Sequence, residues 1–250
     1  MGGAHVFPGG RVDDGDRAPQ LTGLADGIDD ASARMSDVPR EDAVAYSIAA
    51  VRELFEEAGV LLARDQGGEM LAVSATDADR FLTYRQRLAA HTLTLVEIAS
   101  HENVRLALDA LVYFAHWVTP PAEPRRYDTR FFAAVAPAGQ QASHDQGETT
   151  HGVWLDPAEA IECCRRGEIS LPPPTWTTLA TLAAANDLAD FIAVARTRPV
   201  PRIDPISEVR DGRRIIMLPG DPGLPAVAGF HPRHTRFLLE GGRWTPIDAD

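Results

Sequence analysis

The sequence contains no lysine: all 24 basic residues among its 250 are arginine. That removes Schiff-base catalysis and a Walker-type phosphate loop, since both need a lysine amine. Cysteine is almost as scarce. The two present, Cys163 and Cys164, are adjacent, which excludes a disulfide framework and a four-cysteine zinc site. No apolar run approaches the roughly 18–20 residues of a membrane span. The opening MGGAHVFPGG lacks the basic region and apolar core of a secretory signal. These absences give the expectation of a cytoplasmic chain that meets no membrane. Positive charge is in deficit, with a net charge of −12 and no basic stripe, so a nucleic-acid partner is not expected either. Arginine remains for phosphate contacts, which it makes bidentately.

What is present suits one large domain, or a domain with an appendage. His5 to Phe7 reads as a short strand entering a glycine-rich acidic turn, PGGRVDDGD. Residues 17–40 are polar, broken by Pro19, Gly23, Gly27 and Pro39, and show no sustained period; they read as an inserted loop, with disorder left open. Residues 40–58 form the clearest helix. Ser36 and Asp37 offer N-caps, and Glu41 and Asp42 complement the dipole. Val44, Ile48, Val51, Phe55 and Ala58 make an apolar stripe, and Gly59 is placed for a C-terminal cap.

Downstream, a helical insert spans 65–105, with a helix over 77–91 on which Phe81, Tyr84 and Leu88 share a face. Strands are expected near 112–118, over Arg126 to Ala136 and at Gly152–Leu155. Asp156 caps a helix running to about Arg166, and another helix covers 175–187. From about residue 196 the composition turns to Pro, Gly and Arg. Two strand pairs fit there, 206–218 around Arg210–Gly212 and 235–247 around Gly241–Gly242.

The chemistry concentrates in Arg52-Glu53-Leu54-Phe55-Glu56-Glu57-Ala58-Gly59-Val60. On a helix, Glu53, Glu56 and Glu57 fall within about a 100° arc, one turn apart. Three carboxylates so close repel unless a cation shares them, and a hard divalent ion prefers oxygen ligands. Arg52, four residues before Glu56, can hold one carboxylate in place. The bland reading is a solvated acidic helix face. A second element, Gly9-Gly10-Arg11-Val12-Asp13-Asp14-Gly15-Asp16, offers a tight turn with backbone amides exposed to an anion, with Asp13 and Asp16 adding carboxylates.

Together these elements resemble the Nudix hydrolase signature, G-x5-E-x7-R-E-U-x-E-E-x-G-U. Gly10 begins it, Asp16 stands at the first acidic position in place of Glu, and Arg52 to Val60 supply the whole second half. Residues 17–51 stand where the pattern has seven, so this insertion must loop out while the two halves meet. Upstream, Gly3-Ala-His-Val-Phe7-Pro8-Gly9-Gly10 matches the G-x3-F-P-G-G ending of the motif in coenzyme A-type Nudix diphosphatases. The split box, with Trp117-Val-Thr119-Pro120, Arg126 to Phe132 and Gly152-Val-Trp154-Leu-Asp-Pro, is similar to the long-insert branch containing peroxisomal acyl-CoA diphosphatases, over roughly residues 3–185. A Nudix fold places a strand before the FPGG turn, so the expectation is a misassigned or truncated start, with that strand and an L-L-T-x-R motif upstream.

The resemblance implies an α/β fold, a Nudix α/β/α sandwich with a mixed sheet. Its domain would cover 1–195, with 17–40 as inserted loop and 65–105 as helical insert, and 196–250 would be a small β appendage. It implies hydrolysis, dependent on Mg²⁺ or Mn²⁺, of the pyrophosphate in a nucleoside diphosphate conjugate, with coenzyme A or acyl-CoA expected. By position, Glu56 and Glu57 become metal ligands and Glu53 a ligand or water-activating base. Arg52 orients the glutamates, the Gly10 carbonyl adds a metal contact, and Gly9 and Gly10 form the binding turn. Glu148 is the candidate for a later-loop acid. Arg125, Arg126 and Arg130 are candidates for phosphate, the last two on one strand face. Homodimer formation is left open. The competing reading is a catalytically silent Nudix-like module that binds nucleotide or a partner.

Overall fold

The computed structural model describes residues 4–142 and 152–248. Within them the chain forms two compact units, one from residues 8–112 with 133–142 and 152–153, and one from residues 4–7, 113–132 and 154–248.

The first unit contains α1 (Pro19–Gly23), β1 (Ala25–Asp26), α2 (Ile28–Arg34), α3 (Arg40–Ala58), β2 (Ala63–Arg64), α4 (Ala78–Ala89), α5 (Leu95–Glu102) and β3 (Arg105–Ala107). The strands make a small mixed sheet in which β3 pairs parallel with β1 and antiparallel with β2. The long helix α3 organises this unit. Its stripe of Val44, Ile48, Val51 and Phe55 is buried among Leu61, Leu62, Ile98, Leu106 and Leu108. Each large side chain of that stripe contributes roughly 1.5–3 kcal/mol on leaving water. The helix stops where Gly59 turns to φ 71° and its N–H donates to the Phe55 carbonyl, 3.0 Å away. Ser36 and Asp37 do not cap it. Pro39 occupies that position, and Glu41 and Asp42 face the positive helix end.

Residues 17–40 are not a loop. They fold as α1, β1 and α2, with Leu21, Ala25 and Met35 buried. The pieces are too short to build a period, and their apolar residues are too sparse, yet each sinks one anchor into the unit. Arg105 fixes the strand between the two helices. It pairs with Asp26 at 2.7 Å and donates to the carbonyls of Gly23 and Ala25. The expected helix over 77–91 is α4, whose Phe81 and Leu88 are buried. α5 follows behind a capping box of Thr94 and Glu97.

The second unit holds β4 (Val112–Val118), β5 (Asp128–Ala133), α6 (Pro157–Arg165), α7 (Pro173–Ala183), α8 (Leu188–Thr197), β6 (Arg202–Ile203), β7 (Ile206–Arg210), β8 (Arg213–Met217), β9 (Arg236–Glu240) and β10 (Arg243–Ile247). β4 lies between β5 and β6, parallel to β6, and all seven of its residues are buried, as a near-continuous apolar strand requires. The last four strands form an antiparallel sheet, ordered β10-β9-β8-β7, on the two expected turns.

Several expectations change. His5–Phe7 is no strand; Ala4 bridges Ser170, and the His5 N–H donates to the Ser170 carbonyl. The strand expected from Arg126 begins at Asp128 and stops at Ala133. Residues 152–155 form no strand among the described residues, and Trp154 within them is 74% exposed. The helix expected over 175–187 ends at Ala183, and Asp187 caps the separate α8 by accepting from the Asp190 N–H. Among the described residues no single helix is long and apolar enough to cross a membrane.

Candidate active site

The site lies wholly in the first unit, where the glycine turn meets the C-terminal half of α3. Arg52 is its hub. The guanidinium is 7% exposed although it is always charged, so it must be paired. Its Nε and Nη2 donate to Asp16 at 2.9 and 3.1 Å. Nη2 also donates to the Arg11 carbonyl at 2.6 Å. Nη1 donates to Glu53 at 2.8 Å and to Glu56 at 2.9 Å, and Asp13 stands 3.9 Å from Nη2. Burial alone would lower the Arg52 pKa; the hydrogen bond and charge of Asp16, with Glu53 and Glu56, raise it instead.

Asp16 is the partner that closes the inserted segment. It is 2% exposed, and its Oδ2 also accepts the Asp13 N–H at 2.8 Å. Its carboxylate thus ties the turn to α3 across a sequence gap of 36 residues. The turn is fastened a second time, where the Gly9 N–H donates to Glu57 Oε2 at 3.1 Å. Gly10 passes so close to Glu53 that a Cβ would overlap the carboxylate, 2.6 Å from its Cδ. A side chain at Gly10 would therefore displace the Glu53 carboxylate from Arg52, a steric reason for glycine at that position, whereas Gly9 has open space beside it.

The acidic face of α3 is therefore not a solvated surface. The side chains of Glu53 and Glu56 are 13% and 12% exposed. Burial raises the pKa of Glu53 above the usual carboxylate range, more than Arg52 lowers it, and Asp13 and Asp16 push the same way. Burial likewise raises Glu56, assisted by the neighbouring Glu53. Among the described residues no three such groups already converge as metal ligands, and Arg52 takes one oxygen from each of Glu53 and Glu56. A divalent cation nevertheless fits the donor set. Glu56 Oε1 is buried and accepts no hydrogen bond, a costly state that a cation would relieve. All the nearby donors are hard oxygens, the kind that Mg²⁺ and Mn²⁺ take.

The other predicted residues sit elsewhere or are otherwise engaged. Arg126 precedes β5, so it does not share a strand face with Arg130; its Nε donates to the Thr119 carbonyl at 3.2 Å. Arg130 does lie on β5, with a side chain 3% exposed that donates to Asp128 at 2.6 Å. Asp128 also meets His116, 3% exposed, at 2.6 Å. Arg125 is exposed. Glu148 lies outside the described residues. Two contributors carried no sequence signal. Arg85 of α4 donates to the carbonyls of Glu56 and Glu57 at 2.7 and 2.6 Å. Gln140 bonds the Leu61 N–H and the Leu61 and Leu71 carbonyls, steadying the chain that follows α3. Both act over tertiary distances that no local pattern encodes.

The family profile of the NUDT19 Nudix domain matches residues 28–182. The acyl-coenzyme A diphosphatase NUDT19 of Xenopus laevis is 28% identical over 90% of this chain and 68% of its own length. The human protein of the same name is 29% identical over 88% of this chain and 68% of its own. Among solved structures, a NUDIX hydrolase from Alicyclobacillus acidocaldarius superposes with a TM-score of 0.59, covering 79% of this chain and 82% of that one at 24% identity, a likeness of fold.

Proposed function

We propose that this chain, which belongs to the Nudix hydrolases in the family of the NUDT19 Nudix domain, cleaves the pyrophosphate bond of coenzyme A or an acyl-CoA with the help of a divalent cation. The observation that carries the reading is the hub at Arg52, which gathers Asp16, Glu53 and Glu56 beside the glycine turn despite the insertion. The substrate follows from the relatives, whose names are those of acyl-CoA diphosphatases.

Glu56, Glu57 and the Gly10 carbonyl are the residues that would hold Mg²⁺ or Mn²⁺, with Glu53 as a further ligand or as the base that activates water. A bound ion of this kind neutralises charge on the pyrophosphate oxygens and lowers the pKa of water. The chain supplies the rest. Arg52 keeps the carboxylates from splaying apart. Glu57 holds the Gly9 amide and so sets the turn against which the pyrophosphate lies. Glu53, whose pKa burial raises, suits a general base that takes the proton of the attacking water. The water oxygen bonds to one phosphorus as the bridging P–O bond breaks. A nucleoside bisphosphate leaves from one side and a phosphopantetheine from the other.

The test is incubation of the chain with coenzyme A or an acyl-CoA and Mg²⁺ or Mn²⁺. Release of 3′,5′-ADP and 4′-phosphopantetheine, or its acyl form, supports the reading. Nucleotide binding without turnover, unaffected by Glu56→Gln, would favour the silent module instead. No cleavage of coenzyme A, ADP-ribose, NADH or nucleoside triphosphates would count against an enzyme of this class.

A further inference from the structure

The last turn of a helix leaves carbonyls without intrahelical partners and carries the negative end of its dipole. In α3 that turn bears Glu56 and Glu57, so two carboxylates project from the segment least suited to them. Gly59 satisfies the Phe55 carbonyl. The carbonyls of Glu56 and Glu57 are met by Arg85, whose Nε and Nη2 reach them at 2.7 and 2.6 Å. Arg85 is 4% exposed and stands on α4, outside the Nudix box and 28 residues beyond Glu57. A buried guanidinium bonded in this way offsets the helix dipole and fixes the backbone of both acids at once.

We propose that Arg85 is a positioning residue for the cation site, locking the peptide groups of Glu56 and Glu57 so that their carboxylates are held ready for a divalent ion. The inference rests on the pyrophosphohydrolase reading above. It assigns to the helical segment after the box a part in the chemistry, exerted through the backbone of α3. Arg85 also borders a cavity of about 380 Å³ with Phe55, Gly59, Phe81 and Leu82. That space lets a side chain of similar length replace the guanidinium without overpacking.

Mn²⁺ binding to the full chain, followed by the electron paramagnetic resonance of free Mn²⁺, tests this together with coenzyme A hydrolysis across a Mn²⁺ titration. Arg85→Met should weaken Mn²⁺ binding about tenfold, as expected when a group supporting a metal ligand is lost. Its activity should return at high Mn²⁺, with the KM for coenzyme A unchanged. Arg85→Lys should recover part of the affinity. Phe81→Leu, which loosens the contact of α4 with Phe55 but touches neither carbonyl, should lower the thermal midpoint and leave Mn²⁺ affinity alone. Wild-type affinity in Arg85→Met, or an equal loss in Phe81→Leu, overturns the proposal while the functional reading stands. Wild-type protein that neither binds Mn²⁺ nor cleaves coenzyme A overturns both.

Discussion

Replacing Arg52 by Met removes the hub while keeping its apolar stem. The Arg52 side chain is 8% exposed and that of Asp16 is 1%, so solvent does little to screen their pairing. Removing one partner of a buried pair leaves an uncompensated charge and costs about 3–5 kcal/mol. Glu53 and Glu56, whose pKa values burial already raises, lose their shared cation in the same step. The loss is a large share of the ~5–15 kcal/mol that holds a domain together. Denaturant unfolding near pH 7.5 with a chelator, followed by far-ultraviolet circular dichroism, measures it. Hydrogen exchange of the α3 amides locates it, because the tryptophans all lie in the other unit. Adding Mn²⁺ should stabilise the variant more than the wild type, since the ion restores positive charge to the same carboxylates. A loss under ~1 kcal/mol, the range of an exposed pair, would refute the reasoning.

Asp16→Glu, which restores the residue usual at this position of the Nudix signature, should destabilise the chain by about 1–3 kcal/mol in thermal unfolding, because the added methylene has no room at a site 2% exposed. Glu56→Gln should raise the stability of the metal-free chain at neutral pH and abolish Mn²⁺-dependent stabilisation. The folded pKa of Glu56 lies above its unfolded value, so its contribution is present below the unfolded pKa and lost as pH rises through the folded one; the gain from Gln therefore disappears in acid. Asp221, on which burial acts upward, is nonetheless held below the usual carboxylate range by Arg236 and the Gly223 amide. Its contribution is present above the unfolded pKa and lost as pH falls through the folded value. Asp221→Asn should therefore weaken the C-terminal sheet at neutral pH and flatten its acid unfolding, read from hydrogen exchange of β9.

α3 is legible because a 19-residue helix gives the apolar period room to repeat and ends in the left-handed conformation that favours glycine, which Gly59 supplies. The chemistry on it was legible for a related reason, since i, i+3 and i+4 spacing puts Glu53, Glu56 and Glu57 on one face whatever the tertiary context. The hairpins of the C-terminal sheet announced themselves through Asp211-Gly212 and Gly241-Gly242. Residues 17–40 misled because α1 and β1 together offer only Leu21 and Ala25 as buried anchors, below what periodicity can register. Val153 and Trp154 misled in the opposite sense, being apolar yet exposed. The burial of the acids could not be read from sequence either. It depends on Arg52 reaching back to Asp16 and on Arg85 arriving from α4, contacts that the fold creates rather than the local pattern.

The most direct test of the central claim is anomalous diffraction at the manganese edge from crystals of the chain equilibrated with Mn²⁺. The account predicts a strong peak among Glu53, Glu56, Glu57 and the Gly10 carbonyl, lost in Glu56→Gln. Crystals that bind Mn²⁺ only at other sites, or show no ordered ion beside the glycine turn, would contradict it.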